Sequence, residues 1–329
     1  MRVLYNTYPV AFACPGGGEI QLLKCREALT RLGVEVALFD PWRPQLDRVD
    51  LVHYFSVQGG SMNFCDYVHR QGLPLVISPV LWLTPQNRHA FPLAEIRDLL
   101  HVCDRVLPNS ELECEQLAGA FDVDRDKFTV IPNGVDPEFG IPADPADFCR
   151  QFKLAEPFLL CVANVEPRKN QRMLAHVAAR MDVDVVLLGH VRDGEYLAEC
   201  QAIGGRRLRY LGHLPHEDPL LKSAYRACRV FVLPSLLETP GLAALEAAAQ
   251  GAQVVITAVG STREYFGPWA EYVDPADLDS VVNGVERRWT APRSDDLCRH
   301  VLDNFTWAHA GKALTEAYER TLLAAAAVC

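Results

Sequence analysis

Short apolar, β-branched runs alternate with helix-like patterns along the whole of this chain, and that alternation restricts the fold more than any single residue does. In the first half the runs are RVLYNTY, VEVALFD, DLVHYFS, PLVISPV, RVLPNS and FTVIPNG, with amphipathic stretches such as Glu19 to Leu32 and Glu111 to Phe121 between them. A polar, proline-bearing segment, GVDPEFGIPADPADF, breaks the rhythm at about residues 134 to 148 and reads as a linker. The rhythm restarts with FLLCVANV, VDVVLLG, RLRYLGH, RVFVLPS, QVVITAV and EYVDP. Strands separated by helices build parallel βαβ units rather than a sandwich or a bundle. The expected fold class is therefore α/β, with two Rossmann-like doubly wound domains, residues 1–145 and 146–329, facing each other across a ligand cleft at the carboxyl ends of their strands. The long alanine-rich pattern from Trp307 to Val328 is expected to cap or bridge the domains.

Bulk properties narrow the function classes. A chain of 329 residues, 49% of them hydrophobic, suits two cores of about 150 residues each. Its eleven cysteines are scattered singly, as at Cys14, Cys65, Cys161 and Cys329, with no CxxC pair and no histidine at zinc-ligand spacing. Reduced, buried thiols and a cytoplasmic location are the expectation. Arg2 and the apolar stretch ending AFAC faintly suggest an export signal, but Asn6, Thr7 and Pro9 interrupt it. No run approaches the roughly 20 apolar residues of a membrane span, so no transmembrane segment is expected. The net charge is −10, of which residues 1–150 carry −7, and neither half advertises nucleic-acid or strong anionic-membrane binding.

The stretch PSLLETPGLAALEAAAQG sets Glu238 and Glu246 eight positions apart. On one continuous helix they would lie about 12 Å apart along the axis and about 80° apart around it, too far for the ~5 Å carboxylate pair of a retaining glycosidase. A helix starting inside the segment fits better, with Thr239 as N-cap and Pro240 as its first residue, followed by Gly241 and Leu242. Glu238 then sits in the loop ahead of the helix and Glu246 projects from its second turn. The Gly241 and Leu242 amides would favour an anion such as phosphate, Glu246 would accept from a vicinal diol such as ribose, and Glu238 would face whatever lies beyond the phosphates. The alternative is that Thr239 caps its own helix and both glutamates are solvated.

Two further segments bear on this choice. CVANVEPRKN ends a predicted strand and places Arg168 and Lys169 in a strand-to-helix loop, on the rim where parallel sheets hold ligands. Two cations there would neutralise a diphosphate, Lys169 foremost; as an isolated pair they would be a solvated helix-start charge. PGGGE, Pro15 to Glu19, follows the first strand and opens the first helix, where Gly17 and Gly18 free backbone for an oxyanion. It lacks the GxGxxG spacing of a dinucleotide fold. Both DVD triplets, Asp122 to Asp124 and Asp182 to Asp184, read as surface loops, and LPHED around His216 has no partner at metal-ligand spacing. His53, in DLVHYFS, is a possible cleft residue and more commonly a structural one.

Taken together, GGGE after the first strand, VIPNGVD, EPRKN, LLGH, VFVLPS and the E-x7-E element ETPGLAALEAAAQG resemble the retaining nucleotide-sugar glycosyltransferases of the GT-B architecture, specifically the large fourth family. The likeness covers nearly the whole chain. It implies that Glu246 holds the nucleotide ribose, that the Gly241 and Leu242 amides and Lys169 hold the diphosphate with Gly17 and Gly18 completing the cradle, and that Glu238 contacts donor-sugar hydroxyls. It further implies metal-independent transfer with retention, Arg168, Lys169 and a helix dipole stabilising the departing diphosphate. No metal and no separate cofactor are expected, the nucleotide sugar being a co-substrate. Members of that family usually carry an Arg where this chain has Asn164, so either Arg168 substitutes or the leaving-group charge is less well neutralised, and many carry a His where it has Ser78 and Pro79.

The expected activity is transfer of a hexose-type sugar from a nucleoside diphosphate to an acceptor hydroxyl in glycan, polysaccharide or glycoconjugate biosynthesis. The acceptor, whether saccharide, lipid-linked or small molecule, is not specified by the sequence, nor is the oligomeric state. The Asn164 and Ser78 departures motivate an alternative, a catalytically impaired nucleotide-sugar-binding homologue acting as a regulatory or assembly partner. A nucleotide-sugar epimerase of similar two-domain shape is a third reading.

Overall fold

The structure, a computed structural model, describes residues 1–13, 15–57, 60–84, 87–155 and 157–328. It divides into two compact units, one of Met1–Asn133 with Trp307–Cys329 and the other of Gly134–Thr306. Of the expected reduced thiols, Cys14 and Cys329 lie outside the described residues, while seven of the nine described cysteines are buried and serve as small core residues. No helix among the described residues is long and apolar enough to cross a membrane.

The first unit holds one parallel sheet of β1 (Arg2–Thr7), β2 (Glu35–Leu38), β3 (Leu51–Phe55), β4 (Leu75–Ser78) and β5 (Arg105–Val106) in the order β2-β1-β3-β4-β5. The second holds β6 (Leu159–Val162), β7 (Val185–Leu188), β8 (Leu208–Tyr210), β9 (Val230–Leu233), β10 (Gln253–Thr257) and β11 (Glu271–Val273) in the order β11-β10-β9-β6-β7-β8. Every strand pair is parallel. Helices cover both faces of such sheets, which is why β4, β7 and β9 are buried at every position and read as unbroken apolar runs.

One predicted strand fails to form. FTVIPNG makes only a single bridge, Phe128 to Val106, although Thr129 N–H reaches Val106 O and Ile131 N–H reaches Pro108 O. The return bond of the ladder would have to come from the amide of Pro108, which has none.

The predicted linker and the boundary at residue 145 also move. Residues 134–148 belong to the second unit, where Val135, Phe139 and Phe148 are buried in its core. The side chain of Gln250 donates to Phe139 O and Ile141 O at 2.6 and 2.9 Å, and Phe148 N–H donates to Ser223 Oγ. The chain's last helix, Trp307–Val328, belongs instead to the first unit and packs on the helix Gly17–Arg31. Its buried residues Trp307, Ala310, Leu314, Ala317, Tyr318 and Thr321 recur at helical spacing. Gly311 lets the two helices close, since a Cβ there would stand 2.9 Å from Ala28 Cβ.

That helix also carries a polar plug into the first sheet. His53 is fully buried, with Nδ1 2.6 Å from Tyr318 Oη and Nε2 2.9 Å from Ser78 Oγ, while Tyr5 and Tyr318 hydroxyls lie 2.9 Å apart. His53 is therefore a structural residue, and Ser78 is 2% exposed and faces the core. Burial pushes the His53 imidazole down to about 3. The unfolded chain protonates this ring near its ordinary value and the folded chain does not, so its contribution to stability is complete above about pH 6.5 and is lost as pH falls, by about 1.4 kcal/mol per unit. Denaturant unfolding at pH 7 and pH 5 is expected to show this loss in the wild type and a shallower one in His53→Gln; equal slopes would contradict it.

Candidate functional site

The strand order fixes where a site can form. In the second sheet the chain runs outward from β6 through β7 to β8, then returns to lay β9, β10 and β11 on the other side. Neighbouring loops after β6 and β9 thus diverge at this switch point, leaving a crevice beyond the carboxyl ends of the strands. The loop after β6 carries Asn164, Glu166, Arg168 and Lys169, and the loop after β9 carries Glu238 and Gly241. The two loops are tied together: Leu236 N–H donates to Arg168 O at 2.9 Å and Asn170 Nδ2 donates to Pro234 O, while the same Nδ2 also reaches Pro275 O in the loop after β11.

Across this crevice Lys169 Nζ contacts Glu238 Oε1 at 2.5 Å, with the two side chains 15% and 6% exposed. The loop after β10 holds Glu238 by its backbone, through Glu238 N–H to Val259 O and Ser261 N–H to Glu238 O. Gly260, at φ +106°, admits this approach, since a Cβ there would fall 2.0 Å from Glu238 O. Cys161, on the strand beneath, feels the pair: burial pushes its thiol up to about 12, Lys169 opposing and Glu238 adding to the effect. A protonated thiol there is a packing group and not a nucleophile.

The predicted helix start needs correction. Thr239 is not the N-cap and Pro240 is not the first helical residue; the N-cap is Gly241 and the helix spans Leu242–Ala249. Gly241 sits at φ +92°, a left-handed conformation that a helical residue cannot take and that glycine adopts without strain. A Cβ on Gly241 would stand 3.5 Å from Glu238 Oε2, so the carboxylate lies directly over the turn. Ala244 N–H already bonds to Gly241 O, whereas the Leu242 and Ala243 amides belong to the opening turn that every helix leaves for an outside acceptor.

Glu246 emerges from the second turn of this helix, as its spacing from Glu238 predicts, but it is not simply solvated. Tyr225 Oη donates to its Oε2 at 2.7 Å, and His216, with the proton on Nε2, donates to its Oε1 at 3.1 Å. Asp136 Oδ2 lies 3.8 Å from the same His216 nitrogen. Burial first, and then the Glu246 charge, push the Tyr225 phenol well above its ordinary value, so it remains a donor. Sequence reading weighs His216 only as a metal ligand and gives neither Tyr225 nor Asp136 a role beside Glu246, because nothing local links them: Tyr225 reads as one more residue on the amphipathic helix Pro219–Ala227.

Arg168 is not brought into this group. Its side chain is 52% exposed and pairs with Glu166 at 3.0 Å. Glu166 also receives Arg192 at 3.1 Å, from the loop after β7, and Asn164, with its amide oxygen turned toward that guanidinium, accepts from Arg192 Nη2 and Nε at 3.1 Å each. Gly17 and Gly18 lie in the other unit, inside the first turn of the helix Gly17–Arg31. Its opening is closed by Glu19, which accepts from Gly16 N–H at 2.6 Å and from Tyr8 Oη at 3.0 Å. A Cβ on Gly18 would approach Val80 Cγ1 to 3.2 Å, while Gly17 has nothing within 4 Å of that position. Among the described residues no group of three or more His, Cys, Asp and Glu is placed to hold a metal ion.

The chain is similar to known proteins in sequence and in fold. A family model described as Glycosyl transferases group 1 matches residues 156–290, and one described as Glycosyltransferase Family 4 matches residues 42–139. A D-inositol 3-phosphate glycosyltransferase of Geodermatophilus obscurus is 34% identical over 239 residues, 65% of this chain and 52% of that protein. O-antigen chain mannosyltransferase B of Escherichia coli is 29% identical over 210 residues, 60% of this chain and 54% of that protein. The chain spans about half the length of the curated relatives it matches. Among solved structures, a sucrose-phosphate synthase from Thermosynechococcus elongatus aligns with a TM-score of 0.80 at 20% identity, covering 98% of this chain and 99% of the other. HepE of Anabaena in complex with UDP aligns at 0.78 and 19% identity, covering 97% of this chain and 100% of the other.

Proposed function

We propose, on the premise that the chain belongs to the GT-B glycosyltransferases of the large fourth family, that it moves a hexose-type sugar from a nucleoside diphosphate to an acceptor hydroxyl with retention of anomeric configuration. The observation that carries this reading is the Lys169–Glu238 pair lying over Gly241 at the switch point of the second sheet. When the glycosidic bond breaks, negative charge gathers on the departing diphosphate. A fixed ammonium and the amides of a helix start, held in place before the reaction, stabilise that charge without reorganising. Lys169 and the Leu242 and Ala243 amides take this role, without a metal or separate cofactor. Glu238 exchanges its bond to Lys169 for donor-sugar hydroxyls. Each oxygen of Glu246 keeps acceptor capacity beside the bond it already receives, and that capacity is directed to the ribose diol.

Relatives guide the choice of substrates. HepE has been crystallised with UDP-glucose, which makes UDP-glucose the first donor to try. The curated relatives are named as D-inositol 3-phosphate glycosyltransferases and mannosyltransferases, so a phosphorylated polyol is the first acceptor and a nucleoside diphosphate mannose the second donor. Purified protein incubated with UDP-, GDP- or ADP-sugars and acceptors of this class is expected to release free nucleoside diphosphate and to give a product whose anomeric proton coupling matches that of the donor. Release from none of the three across such acceptors would end this reading, and an inverted product would remove the retention.

A further inference from the structure

Two acids meet at a single ring nitrogen. His216 Nε2 lies 3.1 Å from Glu246 Oε1 and 3.8 Å from Asp136 Oδ2, with all three side chains at least partly buried. An ionised carboxylate only accepts, so the imidazole keeps a proton on Nε2 and donates it to Glu246. Tyr225 Oη donates to the other carboxylate oxygen at 2.7 Å. The terminal torsion of a glutamate is broad when nothing holds it. One donor on each oxygen fixes the plane of this carboxylate and the direction of its remaining lone pairs.

The segment that bears Asp136 is anchored around the same group. The Phe139 ring lies 5.2 Å from the His216 ring, centre to centre. Gln250, at the C-cap of the helix that carries Glu246, donates from Nε2 to Phe139 O and Ile141 O and accepts from Ala143 N–H. One helix thus carries Glu246 and, a turn later, grips the segment bearing Asp136; all of these residues belong to the second unit.

We propose that His216 is a positioning residue for ribose recognition: it orients the Glu246 carboxylate for a vicinal diol and keeps it apart from Asp136, so that the site selects a ribonucleoside diphosphate over its 2′-deoxy counterpart. The proposal rests on the reading that Glu246 accepts from the donor ribose. Two carboxylates so close to one atom repel each other, and the N–H between them decides which way Glu246 turns. Without it, Glu246 swings away from Asp136 about its terminal bonds, and the diol loses one of its two acceptor oxygens. Asp136 acts only through His216.

The test compares ribose with deoxyribose. UDP, GDP and ADP, each against its 2′-deoxy counterpart, are titrated by calorimetry into wild-type protein, Glu246→Ala, His216→Ala, His216→Gln and the double variant His216→Ala/Asp136→Asn. The wild type is expected to prefer a ribonucleotide at least about tenfold, the value of one charge-assisted contact. Glu246→Ala is expected to abolish that preference. His216→Ala is expected to lower it at least about threefold, and His216→Gln, which keeps an N–H for Glu246, to hold it within about twofold of wild type. Removing the Asp136 charge is expected to return part of the preference to His216→Ala. Unchanged affinity for the 2′-deoxynucleotides separates loss of aim from loss of fold. His216→Phe, which keeps a ring against Phe139 without a donor, repeats the measurement in a packed background. A preference undiminished in both His216→Ala and His216→Phe, beside its loss in Glu246→Ala, overturns the positioning role and leaves the ribose assignment standing. A preference undiminished in Glu246→Ala overturns both, as does a wild-type protein that binds none of the three diphosphates or shows no preference.

Discussion

Lys169→Ala is expected to reduce turnover by about two to three orders of magnitude, the usual cost of removing one preorganised group from a developing charge. It also leaves Glu238, 6% exposed, without its 2.5 Å partner. Removing one member of a buried pair costs about 3–5 kcal/mol, and the 15% exposure of Lys169 places this case toward the lower end. In a unit of this size each kcal/mol lowers the melting temperature by about 2–4 °C, so a drop of roughly 6–12 °C accompanies the kinetic loss. The double variant Lys169→Ala/Glu238→Gln separates the two effects. Neutralising Glu238 restores most of the melting temperature and none of the turnover. Single-variant turnover within threefold of wild type, in protein that remains folded, would remove Lys169 from the mechanism.

Glu246→Ala is expected to weaken binding of the donor nucleotide by about 10- to 100-fold, corresponding to about 1.4–2.8 kcal/mol. The same change strands the buried Tyr225 hydroxyl, which adds a stability loss of about 1–3 kcal/mol. Glu246→Gln keeps an acceptor for Tyr225 and is expected to recover most of the stability and only part of the affinity. Tyr225→Phe leaves the carboxylate but frees its orientation, so its affinity loss is expected to be the smaller one. Calorimetry and thermal unfolding on the same samples read both quantities. Wild-type nucleotide affinity in Glu246→Ala would move the ribose elsewhere.

The architecture was legible because a parallel sheet covered on both faces writes itself as continuous apolar runs. Eleven of the twelve runs became strands, and the twelfth failed on the missing amide of Pro108, a two-residue interaction that periodicity does not register. Lys169 and Glu238 could be assigned to one site because both sit in loops at the carboxyl ends of strands, whereas their direct contact had no sequence signal. The cap at Gly241 was misplaced because Thr-Pro is a strong helix-start signal, and only the positive φ of the glycine shows that the chain must turn once more before the helix begins. Tyr225 and Arg192 left no trace, being 21 residues from Glu246 and 26 from Glu166, and His216, 30 residues from Glu246, was weighed only as a metal ligand. Long-range orientation of a charged group has no period and no motif.

Residues 134–306 begin and end at one place. Val135 donates to Phe305 O at 2.9 Å and pairs with Thr306 in a parallel bridge, so the outgoing and returning chains run side by side. Topologically, the sheet bearing Lys169, Glu238 and Glu246 is a cassette spliced into its host, entered and left through one doorway. All five strands of the first sheet lie before the splice, and only the helix Trp307–Val328 lies after it.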